Sequence, residues 1–148
     1  MIKAQKIYVA GPYSASDADA RERNVERAIQ IAVLLIERGH YPFIPHLTHY
    51  VDEWTRKTAH ELTWEDYIAW DVVWLQECDA LYYIGSSRGA DLERQIAEHL
   101  GKRIYESIDE IPLGDGRTTV HEEVAHLLTD VLPPQVRSLQ LAQSGSSD

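Results

Sequence analysis

Short apolar runs that alternate with long stretches of helical period constrain this chain more than any other feature. Ile7-Tyr8-Val9-Ala10, Tyr41-Pro42-Phe43-Ile44-Pro45, Ala80-Leu81-Tyr82-Tyr83-Ile84 and Arg103-Ile104-Tyr105 each read as a strand. Glycine or proline closes the first three. Between the first two, Val25, Ala28, Ile29, Ala32, Leu35 and Ile36 recur at three and four residues. This spacing predicts a helix over about 18–38, stopped by Gly39. Thr63 caps a second periodic segment reaching about Glu77, with Asp66 completing a capping pair. A third runs from about Ala90 to Leu100 and ends at Gly101. A fourth covers about 118–132 before Pro133-Pro134. The intervening stretch from His46 to Lys57 is polar, aromatic and irregular. Strands alternating with helices predict an α/β fold with a mainly parallel sheet covered on both faces. The prolines of the second strand keep it from being central along its whole length.

Composition narrows the function. With 44% hydrophobic and 26% charged residues, the chain is ordinary for a globular protein. Residues 1–141 are expected to form one domain, and 142–148 a disordered tail with nothing to bury. The formal charge of −10 and the lack of a basic stripe argue against duplex nucleic acid as a partner. No run approaches the roughly 20 apolar residues that span a bilayer, and Met1 to Lys6 leads directly into a strand. No membrane partner, no signal peptide and a cytoplasmic location are therefore expected. The single Cys78 reads as a buried thiol.

In an open parallel sheet, ligands bind beyond the carboxyl ends of the strands. That rule marks Gly11 to Ser14, His46 to His49, and Gly85 to Gly89. Two carboxylates lie near these loops. Asp71 shares a helix face with Trp64, Ile68 and Leu75, so it either lines a pocket or sits at the edge of the apolar stripe. Glu93 and Asp91 fall in the first turns of a helix that follows a glycine loop. Acidic residues also occur there for helix-dipole reasons alone. Two carboxyls flanking a cleft can divide the roles of nucleophile and proton donor, as in glycoside cleavage. His46, His49 and His60 read as polar cleft residues rather than metal ligands, because no second ligand cluster accompanies them. The phosphate loop of nucleotide triphosphatases, the dinucleotide fingerprint and the serine-hydrolase elbow are all absent. Trp54, Trp64, Trp70 and Trp74 are expected mostly in the core, with Trp54 free to stack on a base.

Three segments together carry a resemblance: Lys6-Ile7-Tyr8-Val9-Ala10-Gly11-Pro12-Tyr13, Asp71 through Ala80, and Ser87-Arg88-Gly89-Ala90-Asp91-Leu92-Glu93. In this order they resemble the nucleoside 2-deoxyribosyltransferase superfamily, in particular its small bacterial and phage branch related to deoxynucleoside 5′-monophosphate N-glycosidases. The resemblance spans about residues 6–105. It implies a Rossmann-like (flavodoxin-like) three-layer sandwich and cleavage of the N-glycosidic bond of a nucleoside or nucleotide, by transfer to another base or by hydrolysis. Glu93 matches the nucleophile that forms a glycosyl-enzyme, Tyr8 the tyrosine that orients it, and Asp71 the aspartate that assists positioning and proton delivery. Ser87 and Gly89 match the loop around the sugar 5′ group, and Gly11, Tyr13 and Ser14 fall in the first substrate loop. His46 is added from its loop position as a base or sugar contact. The resemblance further implies no cofactor and a homodimer or larger assembly.

The sequence departs from that pattern at two places. Asp91 stands where many relatives have glycine, so it threatens to repel a phosphate. Ser14 replaces the arginine that monophosphate hydrolases carry in the first loop, which leaves Arg88 or Arg21 as substitutes. A second expectation is therefore a non-catalytic sensor of a nucleotide or ADP-ribose-like ligand. A third is a partner protein docking through Val120, Val124, Leu127, Leu128 and Val131.

Overall fold

A computed structural model of the protein describes residues 1–116. The expected helix over 118–132, its docking stripe, the domain limit at 141 and the tail lie outside the described residues.

Four strands form one parallel sheet: β1 (Lys6–Ala10), β2 (Tyr41–Phe43), β3 (Ala80–Tyr83) and β4 (Arg103–Tyr105), in the order β2-β1-β3-β4. Ile7 pairs with Pro42 on one side and with Ala80 on the other. Edge placement of β2 explains how the sheet tolerates Pro42, since one side of that strand needs no ladder donor. Four helices complete the described chain: α1 (Ala18–Glu37), α2 (His49–Arg56), α3 (Trp64–Gln76) and α4 (Arg88–His99). The α/β, Rossmann-like architecture expected from the sequence is present.

The period-two pattern of β1 divides the core into two layers. Ile7 and Val9 face α1, where they join Ala28, Leu35, Ala80, Tyr82, Tyr105 and Ile111. Tyr8 and Ala10 face the opposite side, with Leu75 of α3, Ala90 and Ala97 of α4, Leu81 and Cys78. The stripe of α1 is narrower than its apolar spacing implied. Val25, Ala28, Ala32 and Leu35 are buried, whereas Ile29 and Ile36 at its edge remain 39% and 46% exposed.

Helix ends follow local chemistry. Asp17 caps α1 through Asp19 N, and Thr63 and Asp66 close a reciprocal capping box on α3. Ser87 caps α4 by accepting from Ala90 N, so this helix starts two residues earlier than its apolar pattern indicated. The stretch read as irregular is corrected: a 3-10 segment at Pro45–Thr48 leads into α2. None of the α2 residues is buried, so no apolar stripe announces it. Its regularity is supported instead by an Asp52–Arg56 ion pair one turn apart.

Gly39, at the end of α1, has φ +84°, and a Cβ there would lie 2.0 Å from Gly114 O. Neighbouring hydrogen bonds from Gly114 N to Arg38 O and from Gly116 N to Gly39 O hold this junction. Gly39→Ala is therefore expected to destabilise the fold by at least about 2 kcal/mol, combining left-handed strain with a backbone clash. Chemical denaturation of the two proteins measures it, and an unchanged midpoint would contradict the assignment.

Candidate functional site

A cavity of about 440 Å³ opens beyond the carboxyl ends of β1, β2 and β3. This volume lies within the range of small-molecule sites. Of the nine residues singled out from the sequence, eight line it: Gly11, Tyr13, Ser14, His46, Asp71, Ser87, Gly89 and Glu93. The ninth, Tyr8, does not reach the cavity. It is fully buried in β1, behind Glu93.

Glu93 is the central feature. It stands one turn into α4 on the side that packs against the sheet, and only 5% of it is exposed. Burial is the main reason its pKa rises to about 8. The Asp71 charge adds to the rise, and donation by Tyr8 opposes it. Tyr8 Oη and Glu93 Oε2 are nevertheless both buried without a completed hydrogen bond. Phenol and carboxyl thus make a near contact rather than a formed bond. The Tyr8 ring is held by stacking on Phe43 at 5.7 Å between centroids, and Phe43 stacks in turn on Trp74 at 5.6 Å. Burial and the neighbouring Glu93 raise the Tyr8 pKa well above its ordinary value, so it stays a neutral donor.

Asp71 resolves to the pocket alternative. It projects from α3 into the cavity, partly buried, beside Ile68 and Tyr67. Burial lifts its pKa to about 7. The apolar face of α3, through Trp64 and Ile68, supplies the dry surroundings that disfavour its charge.

The remaining walls are polar and tied together. Tyr13 donates to Asp52 at 2.6 Å and meets His49 Nδ1 at 3.0 Å, while Arg56 binds the same Asp52 oxygen at 3.0 Å. The first loop is therefore fastened to α2, the element that sequence periodicity did not reveal. Asp52 and Arg56 line the cavity as a result, Tyr67 of α3 lines it beside them, and none of the three was singled out beforehand. The i, i+4 pairing of Asp52 with Arg56 was the one available signal. His46 is 4% exposed, with Nε2 against Gly11 O at 3.1 Å and Nδ1 without a partner. Burial lowers its pKa, so it is held neutral. His49 bonds Tyr13 but does not line the cavity.

Several other expectations are corrected. Trp54, Trp70 and Trp74 are 55%, 41% and 47% exposed rather than core, and Trp54 stacks on His60 away from the cavity. Trp64 is the tryptophan that lines it. Arg21 is buried, donates to Ala15 O and faces Glu53 at 3.6 Å, so it is not available in the cavity. Asp91 does not line the cavity either. Its two oxygens accept from Tyr83 Oη at 2.6 Å and from Ser86 Oγ at 2.7 Å, which fastens the glycine loop from outside. Among the described residues, no three His, Cys, Asp or Glu side chains are placed to hold a metal ion. None of the described helices is long and apolar enough to cross a membrane.

Residues 5–107 match the model of a family described as a domain of unknown function (DUF7768), and the chain belongs to that family. No curated protein matches the sequence.

Raised carboxyl pKa values carry a stability cost of definite sign. A buried Glu93 that titrates near 8, against about 4.3 in the unfolded chain, binds more protons when folded. The cost is absent below the unfolded value, grows as pH rises between the two, and is fully present above about 8. Glu93→Gln is thus expected to be more stable than the parent by on the order of 2 kcal/mol at pH 8, and to lose that advantage by pH 4. Denaturant melts of both proteins across this range check it, and a pH-independent difference would contradict a buried ionisable carboxyl.

Proposed function

We propose that this protein cleaves the N-glycosidic bond of a nucleoside or nucleotide through a covalent glycosyl-Glu93 intermediate. One observation carries the reading: two carboxyls with burial-raised pKa values, Glu93 and Asp71, share a cavity at the rim of a parallel sheet, with a neutral phenol against one of them. Perturbed carboxyls concentrate at working sites, and this pairing suits a leaving group that must be protonated while positive charge builds at carbon.

In the proposed reaction a Glu93 oxygen attacks C1′ and the bond from C1′ to the base nitrogen breaks. The electron pair leaves with the base, which takes the Asp71 proton, giving free base and a glycosyl ester. Water or a second base then attacks C1′ and releases Glu93, with the incoming nucleophile's proton passing to Asp71. Only carboxyl and phenol groups of the chain take part. Between them the two carboxyls must hold one proton. Before substrate enters, that proton belongs to the pair rather than to either group. Donation from Tyr8 and the developing charge at C1′ both favour the anionic form of Glu93, which shifts the proton to Asp71 when the reaction needs it.

A bell-shaped pH profile follows. Well below pH 7 both carboxyls are protonated and no nucleophile remains, whereas well above pH 8 neither retains a proton for the base. Release of free base from a panel of ribo- and 2′-deoxyribonucleosides and their monophosphates should therefore peak between about 7 and about 8, with limits that belong to the pair. Glu93→Gln is expected to lower the rate at least about 10³-fold, in line with removal of a nucleophile. Equal base release by this variant would overturn the assignment. Including an acceptor base in the same assay separates transfer from hydrolysis.

Gly89 provides a steric counterpart. A Cβ there would sit 3.5 Å from Ile68 Cδ1, 3.9 Å from Glu93 Oε1 and 4.0 Å from Trp64 Nε1, filling space beside the nucleophile without a clash. Gly89→Ala should fold as well as the parent, or better by up to about 1 kcal/mol, while base release falls. Melting temperature and rate measured together test this, and full activity in a normally folded variant would place the substrate elsewhere.

A further inference from the structure

Helix α2 contributes Asp52 and Arg56 to the cavity lining, yet it buries no residue of its own. Polar contacts hold it, and only some of them are complete. Asp52 accepts from Tyr13 Oη at 2.6 Å. The Tyr13 backbone is in turn pinned to α1, because Asn24 Nδ2 donates to Tyr13 O at 3.1 Å. Glu53, the next residue of α2, meets α1 less fully. Arg21 commits Nη1 to Ala15 O at 2.7 Å, and its Nη2 stands 3.6 Å from Glu53 Oε1. Arg21 Nε and Glu53 Oε1 are both buried without a hydrogen-bond partner.

A donor and an acceptor, complementary and each unsatisfied, thus belong to the two side chains that bridge α1 and α2. Nε and Nη2 form an edge of the guanidinium able to grip a carboxylate with two parallel bonds, at about 2.7–2.9 Å each. The observed separation exceeds that by under about 1 Å. Tyr67 repeats the pattern where α3 meets α2. Its Oη is buried without a partner, and its polar neighbours include Thr55, Asp52 and Arg56 of α2. Of the six buried side-chain atoms that lack a partner among the described residues, three therefore lie along the contacts of this one short helix. Buried polar groups are ordinarily paired, so the seat of α2 is an unfinished part of the fold. Residues 57–63, which follow it, are all exposed and form neither helix nor strand, so they offer little resistance to a small rotation.

We infer that α2 is a lid, pivoting on the Tyr13–Asp52 bond and closing over an occupant of the cavity as the Arg21–Glu53 pair forms. Closure carries Asp52 and Arg56 inward and withdraws solvent from the hollow that Glu93 and Asp71 share, as closing lids do. The movement is small, on the order of 1 Å at Glu53, because the partners already face each other short of bonding distance. The inference concerns any occupant of the cavity and does not depend on which bond is broken there.

Amide hydrogen exchange, followed by mass spectrometry on the full-length protein, tests the lid. In the free protein the amides of α2 should exchange at least about 10-fold faster than those of α1 and α3. Excess 2′-deoxyadenosine or 2′-deoxycytidine, added to Glu93→Gln so that turnover does not consume it, should slow α2 by roughly 10-fold or more, the worth of a charged hydrogen bond. Glu53→Gln keeps the side chain's size and removes its charge. It should speed α2 exchange in the free protein by about the same factor and, combined with Glu93→Gln, abolish the slowing, with α1 and α3 unchanged. Arg21→Lys, which retains charge without the two-donor edge, should act in the same direction. An α2 as protected as α1 and α3 in the free protein overturns the lid. Exchange that ignores Glu53→Gln, or a nucleoside that slows the cavity walls but not α2, overturns it equally. If neither nucleoside alters exchange anywhere, the nucleoside reading of the cavity fails, and the response of the free protein to Glu53→Gln decides the lid by itself.

Discussion

The withdrawal of one carboxyl group from water governs how this molecule is built. Glu93 sits near the start of α4, where the helix packs on the sheet. Its surroundings are the Tyr8 phenol, Asp71 and the apolar face of α3. Removing an ionisable group from solvent is unfavourable unless a partner or a ligand compensates, and the partner here is a near contact that falls short of a full hydrogen bond. The ring stack of Tyr8, Phe43 and Trp74 behind the carboxyl, and Ile68 and Trp64 beside it, keep the arrangement in place. A glutamate needed only to complement a helix dipole would do so equally well on the exposed side of the same turn.

Around that group the sheet acts as a plate with loops fixed at one edge. The order β2-β1-β3-β4 brings the ends of β1, β2 and β3 side by side, so residues from Gly11 to Glu93 meet in one hollow. Each loop is then restrained by its own device. Tyr13 and Asp52 fasten the first to α2, and Asp91 fastens the third through Tyr83 and Ser86. Ser87 spends its acceptor capacity on the cap of α4. Polar side chains at the rim thus hold loops in position, while three atoms of the cavity lining, Glu93 Oε2, His46 Nδ1 and Tyr67 Oη, are buried without a hydrogen-bond partner.

Asp91 illustrates how a single substitution in a motif can change meaning with geometry. Read along the chain it threatened the glycine loop with a misplaced charge. In the fold it bonds two hydroxyls outside the cavity, and these hold its pKa below the ordinary carboxylate range. The cation over Trp64 then faces no competing carboxylate from its own helix start. The proposed N-glycosidase chemistry builds on this separation of charges, with Glu93 and Asp71 in the cavity and the Arg88 guanidinium over Trp64 at its lining.

The order of strands and helices, the parallel sheet and the marginal place of β2 were legible along the chain, because period two, period 3.6, capping residues and prolines are local signals. The nomination of Glu93, Asp71 and the loop residues came from a general rule about strand ends and from a resemblance of motifs. Which way those side chains point was open until the chain folded. Helix α2 was hidden because its inward face is polar, and hydrophobic periodicity reports only faces that bury apolar surface. The same logic misplaced Trp54, Trp70 and Trp74, since aromatic character alone does not say which side of a helix meets the core. Sequence by itself determined the elements and the carboxyls available to them. Tertiary structure alone decided that Glu93 is buried, that Asp71 lines the same cavity, and that Arg88 rather than Arg21 reaches it, because burial and pairing are properties of neighbours distant in the chain.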